Sequence, residues 1–171
     1  MTTWTAPPAH REQEPQTGPE RAMLQGWLDW HRQTLLSKCA GLTAEQLKTA
    51  AVPPSTMTLL GLVRHLTLVE QSWFARATGT EERWVHGSDD NPDGDWNDLA
   101  DADPEADLRT YAAEVAEADR KIASFGLDHE FTTPRATKSV RWVYLHMIEE
   151  YARHNGHADL LRECLDGTTG D

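Results

Sequence analysis

The chain has 171 residues, of which 39% are hydrophobic and 26% charged, and it carries a formal net charge of −12. That length suits one domain with a real core and is too short to expect two. The negative balance excludes nucleic acid as a partner, because phosphate binding wants the opposite sign. No run of about 18 apolar residues exists, so nothing is expected to span a membrane.

The N-terminus lacks the apolar segment of a signal peptide, which leaves a cytoplasmic protein as the expectation. Two cysteines, Cys39 and Cys164, are too few for a disulfide framework, and each sits inside a helical pattern. They are expected as free, buried thiols, with a single Cys39–Cys164 bridge as the alternative.

Residues 1–18 carry Pro7, Pro8 and Pro15 among polar residues and read as a flexible, extended arm. The domain proper, 19–171, opens at Pro19, which fits at or near a first helical turn. Leu24, Trp27, Leu28, His31 and Leu35 then recur at three- and four-residue spacing up to Gly41, a C-terminal stop. Thr43 followed by Gln46 reads as a capping box for a short helix that Pro53-Pro54 must end.

Ser55 or Thr56 is expected to cap the second long helix, whose stripe is Leu59, Leu62, Leu66, Val69 and Trp73 and whose end is Gly79. From His86 to Glu105 the chain is dense in Asp, with Asn and Gly, and shows no periodicity, so it reads as a long loop. Asp103, Pro104 and Glu105 start the third long helix as cap, first position and acidic first turn. Its apolar residues continue from Leu108 to Ile122, with Gly126 as the stop. After a loop holding Pro134, Ser139 caps a final helix that ends at Gly167. Four long amphipathic helices and no convincing strand predict an all-α four-helix bundle with at least one long connection.

"DDNPDGDWNDLA", from Asp89 to Ala100, matches the opening of a calcium-binding loop at Asp89, Asn91, Asp93 and Gly94. The twelfth position is Ala100, where a bidentate Glu is required, and Pro92 interrupts the loop. A solvated acidic loop is the better reading.

The final helix carries the chemistry. At about 100° per residue, Val140, Val143, Met147, Tyr151, Ala158, Leu161 and Leu165 share one apolar sector. Glu150 and His154 fall inside that sector, four residues apart and so one above the other. A carboxylate in a core is expensive unless paired or metal-bound. The two side chains can satisfy each other, or they can join His65, at the edge of the second helix's stripe, in a metal site built across facing helices. A His₂Glu set leaves one coordination position open, as catalytic sites do.

"LLGLVRHLTLVEQSWF" and "HMIEEYARHNGHADLLRE" together resemble the DinB-like metal-binding four-helix bundle superfamily. The branch they most resemble is actinobacterial and includes a Streptomyces mini-circle protein. The resemblance covers nearly the whole chain after Pro19. It implies a divalent metal held by one histidine from the second long helix and two ligands from the last, here His65, Glu150 and His154. Many members carry His-x-x-x-His in the last helix; Glu150 at the first of those positions is similar to mycothiol-dependent maleylpyruvate isomerase. A carboxylate donor shifts preference away from the softest metals; Zn²⁺ is the expected ion, with nickel, manganese and iron as alternatives.

His157 is one turn from His154, as a supporting partner or alternative ligand, and His146 is expected half-exposed. His31 sits mid-stripe on the first helix, as a satisfied core histidine or as a pocket residue that moves protons. Trp30, Trp73 and Trp142 read as core or pocket wall. The implied activity is that of a metal-dependent thiol S-transferase or isomerase, with a mycothiol-type small-molecule thiol and an electrophile as partners. The alternatives are a non-catalytic metal-binding or stress-associated bundle and a metal-dependent hydrolase. Related bundles often pair through helix faces, which predicts a homodimer.

Overall fold

The computed structural model describes residues 3–170. Four long helices form the expected bundle: α1 (Glu20–Cys39), α3 (Leu59–Thr78), α5 (Pro104–Ile122) and α6 (Val140–Asp166). Two short helices, α2 (Ala44–Leu47) and α4 (Gly94–Asn97), and a hairpin of β1 (Glu130–Thr132) and β2 (Thr137–Ser139) fill the connections. α3 packs along α5, α1 along α6, and α6 also lies against α3. No helix among the described residues is long and apolar enough to cross a membrane.

Local chemistry sets most boundaries where the sequence places them. The Thr43–Gln46 capping box is formed in both directions, the Asp103 carboxylate accepts from the amides of Glu105 and Ala106, and the Ser139 hydroxyl accepts from Trp142 N–H. Gly79 and Gly167 close α3 and α6 in the left-handed region, at φ 66° and 77°, which a residue with a Cβ rarely adopts.

Three expectations are corrected. α3 begins later than Ser55 or Thr56 predicted: the Ser55 hydroxyl accepts from Met57 N–H inside a turn, and Thr58 caps the helix at Gly61 N–H, 2.9 Å. α5 stops at Ile122 rather than Gly126. The segment after it holds the antiparallel hairpin, with Phe131 opposite Lys138, although no strand was predicted there; three-residue strands are too short to show a period.

The arm before α1 is laid against the bundle. Ala6 exchanges backbone hydrogen bonds with Leu42 and Gly41, Glu12 N–H donates to the Gln33 side chain, and Ala6 is buried. Backbone groups left unpaired by an irregular arm find partners in the α1–α2 turn.

The core holds Leu28, Leu35, Leu62, Leu66, Val143, Met147 and Leu161. Through it runs a charged network that the sequence analysis did not identify. Arg32 of α1 makes a two-pronged ion pair with the fully buried Glu70 of α3, at 2.7 and 2.8 Å. Tyr151 of α6 donates to Glu70 (2.8 Å) and pairs with Tyr111 of α5 (2.9 Å), so one carboxylate ties three helices to a fourth. Neither cysteine is bridged: Cys39 is buried as expected, whereas Cys164 is exposed, on the outer side of α6.

Candidate metal centre

α3 and α6 face each other along a seam, and at one end of it His65, Glu150 and His154 converge. A nitrogen of each histidine and a carboxylate oxygen all lie within 4.8 Å of one another. His154 Nε2 stands 3.4 Å from Glu150 Oε2, as the i, i+4 spacing on α6 requires. The rings of His65 and His154 meet edge-on with centroids 4.9 Å apart. The Glu150 side chain is 17% exposed and edges the apolar sector, while His154 as a residue is 8% exposed and lies within it.

Each imidazole has one nitrogen turned inward and the other held from outside. His65 Nδ1 pairs with Asp95 Oδ2 at 2.9 Å, which leaves Nε2 as the unengaged nitrogen. His154 Nδ1 faces His157 Nδ1 at 3.3 Å, leaving Nε2 on Glu150. Burial, and then the neighbouring His65 and His157, push the His154 imidazole down to about 4. It is therefore neutral at neutral pH, with a lone pair free to donate.

Asp95 comes from α4, inside the stretch expected to be a solvated acidic loop. That expectation is corrected at this point, since Asp95 is 2% exposed. The loop folds back onto α3 because Gly61 has no side chain: a Cβ there would lie 3.1 Å from the Trp96 ring. Trp96 then stacks on His65, centroids 4.7 Å apart at 30°. Asp95 and Trp96 thus hold His65 by an edge and a face. A tryptophan among Asp and Asn residues was the one signal that part of this loop is packed.

His157 is placed at the cluster through His154, whereas His31 is placed elsewhere. On the α1–α6 seam, His31 meets Asn155, whose amide donates to the His31 carbonyl at 3.0 Å and lies 3.3 Å from Nδ1. There it lines a cavity of about 520 Å³ with Trp30, Thr34 and Lys38. Burial lowers its basicity. His146 is half-buried as expected, stacked on Trp142 and 3.7 Å from Glu150 Oε1.

The donor set fits a first-row divalent ion. Donors about 2.0–2.2 Å from a common centre stand about 3.4 Å apart at tetrahedral angles, the separation His154 and Glu150 already show. Two imidazoles and one carboxylate suit Zn²⁺ and its neighbours. Three protein donors leave a fourth position, and the partial exposure of Glu150 and His65 opens it to solvent.

No curated protein and no solved structure matches the chain. A family model does, that of mycothiol-S-transferase, over residues 23–167, a span that contains the four long helices except the first turn of α1 and holds every residue of the cluster. A match over that length shows that the chain belongs to the mycothiol-S-transferase family, within the DinB-like superfamily.

Proposed function

We propose that the protein is a divalent-metal-dependent S-transferase that uses mycothiol, or a closely similar low-molecular-weight thiol, as nucleophile. The observation that carries this reading is the convergence of His65, Glu150 and His154 in a chain of the mycothiol-S-transferase family. These three residues would hold the ion, with Zn²⁺ the preferred occupant. When bound, a divalent ion supplies positive charge that lowers the pKa of a thiol brought to it.

The chain's own sulfur does not compete for the nucleophile's role. Burial pushes the Cys39 thiol up to about 12, and Cys164 lies away from the seam. The nucleophile therefore comes from outside, which agrees with a thiol cosubstrate. In the transfer the thiol sulfur forms a bond to an electrophilic carbon, the leaving group departs with the electron pair of the broken bond, and the thiol proton must be taken up. That proton passes to solvent at the exposed side of the cluster, while His157 fixes the tautomer of His154 by accepting from its Nδ1. Asp95 and Trp96 keep the His65 ring in one orientation and one tautomer. His157 turns its Nδ1 to His154 rather than closing the donor set, which favours an open, exchangeable position.

The test is thiol consumption by zinc-loaded protein with mycothiol and monochlorobimane, followed by fluorescence. Acceleration over the uncatalysed rate, lost on chelation and in His154→Ala, is the expected result. Metal-loaded wild type that accelerates no electrophile in a panel, or metal-free protein that matches it, would remove the transferase reading.

A further inference from the structure

The α3–α6 seam continues beyond the cluster. On α6, His146 and Trp142 follow Glu150 in steps of four residues toward the N-terminus, and Lys138 of β2 is one step further. Trp73 of α3 lies opposite, with its ring 5.0 Å from Trp142 and 4.8 Å from His146. Past His146 the seam widens into a cavity of about 570 Å³ walled by Trp73 and Trp142 and rimmed by Arg76, Glu82, Arg135 and Lys138.

The charges at this rim do not cancel. Glu82 is taken by Arg76, at 2.6 and 2.8 Å. Lys138 Nζ stands 3.2 Å from the centre of the Trp142 ring and 5.6 Å from that of Trp73, with no carboxylate within 4.0 Å among the described residues. Arg135, on the hairpin turn, has none either. In a chain of net charge −12, two unpaired cations beside a pair of indoles form a local reversal of sign. The indole faces hold Lys138 by cation–π attraction, so its ammonium is already in position for an anion.

We propose that this cavity binds an organic anion: a small molecule whose carboxylate meets Lys138 and Arg135 and whose flat apolar body lies against Trp73 and Trp142. From Trp142 to Glu150 is eight residues of helix, about 12 Å at a rise of about 1.5 Å per residue. The indoles therefore stand an ordinary small-molecule length from the cluster. As the seat of the electrophile this inference rests on the transferase reading; as a binding site it does not.

The probe is 2-naphthoate, compared with the neutral 2-naphthamide by calorimetry on metal-free and zinc-loaded protein. Naphthoate should bind about tenfold or more tightly than the amide, in both forms of the protein. Lys138→Met keeps the stem over Trp142 and removes the charge, and should weaken naphthoate about fivefold or more. Lys48→Met, the same charge change on the first residue after α2, should not. Arg135→Gln, on an exposed turn, gives a second reading should Lys138→Met disturb the fold. Equal binding of acid and amide, no binding of either, or full naphthoate affinity in both rim variants would overturn the proposal. Failure of zinc to bind at all would remove the transferase reading and leave the anion site standing.

Discussion

Glu150 addresses two neighbours with its two oxygens, His154 through Oε2 and His146 through Oε1. Glu150→Gln keeps the shape and removes the charge. If the carboxylate is a ligand, zinc affinity should fall more than about 100-fold, beyond the range seen when an outer hydrogen-bond partner is lost. Glu150→His should retain the metal. Calorimetry that finds Gln as tight as wild type would show that Glu150 is only a buried partner. Asp95→Asn tests the other shell of contacts: the His65 ring keeps a neutral acceptor but loses a charged one, and zinc affinity should fall about 10- to 100-fold. Unchanged affinity, with an unchanged His65 tautomer by ¹⁵N NMR, would deny Asp95 a positioning role.

His86 supplies a pH prediction at the same scale. It is enclosed with Arg64, Asp107 and Asp95, and burial followed by the Arg64 charge pushes its imidazole down to about 4. An unfolded histidine titrates near 6.5, so between about pH 6.5 and 4 the unfolded chain binds a proton that the fold refuses. Stability of the metal-free protein should fall as pH drops through that window. Asp107, raised by its own burial, acts with the opposite sign because the fold takes up its proton first. His86→Gln cannot protonate, and its melting temperature should change less between pH 7 and 5. An identical slope in variant and wild type would contradict this account.

At the scale of elements, caps do the work that periodicity leaves undone. α5 is about half polar, and its start depends on one Asp103 oxygen accepting two amides, at 3.0 and 3.3 Å. Asp103→Ala should destabilise by about 1 kcal/mol. That corresponds to about 2–4 °C in melting temperature for a chain of this size, and Asp101→Ala should move it far less. α4 is the opposite case, a single turn with no side-chain cap bond that exists because Asp95 and Trp96 are seated on α3. Helical propensity could not have shown it, since four residues are below the length at which a helix declares itself.

The whole molecule is joined through Glu70. Arg32, Tyr151 and, through it, Tyr111 reach that carboxylate from three other helices, and both members of the ion pair are removed from solvent. Glu70→Ala leaves the Arg32 guanidinium buried without its main partner and should destabilise by about 3–5 kcal/mol in urea unfolding. Arg32→Met with Glu70→Leu should cost much less, because no orphaned charge remains. If the double variant is as unstable as the single one, packing rather than charge pairing holds this junction.

What the chain determines by itself is what depends on near neighbours. Gly79, Asp103, Ser139, Gly167 and the Thr43–Gln46 box act through bonds spanning a few residues, and the four long helices follow from them and from the 3.6-residue period. The same period sets Glu150 above His154 and puts His65 at the edge of its helix's stripe, and the family resemblance joins the three in one site. Period alone does not say which faces meet. That the Asp-rich loop returns to α3 and seats Asp95 on His65, that Arg32 finds Glu70, that His31 falls on the α1–α6 seam instead of beside the cluster, and that Cys164 is left outside were decided only when the helices packed. These contacts join residues 30 to 124 positions apart, and the energy that selects among them is burial shared over the whole core rather than any signal within one segment.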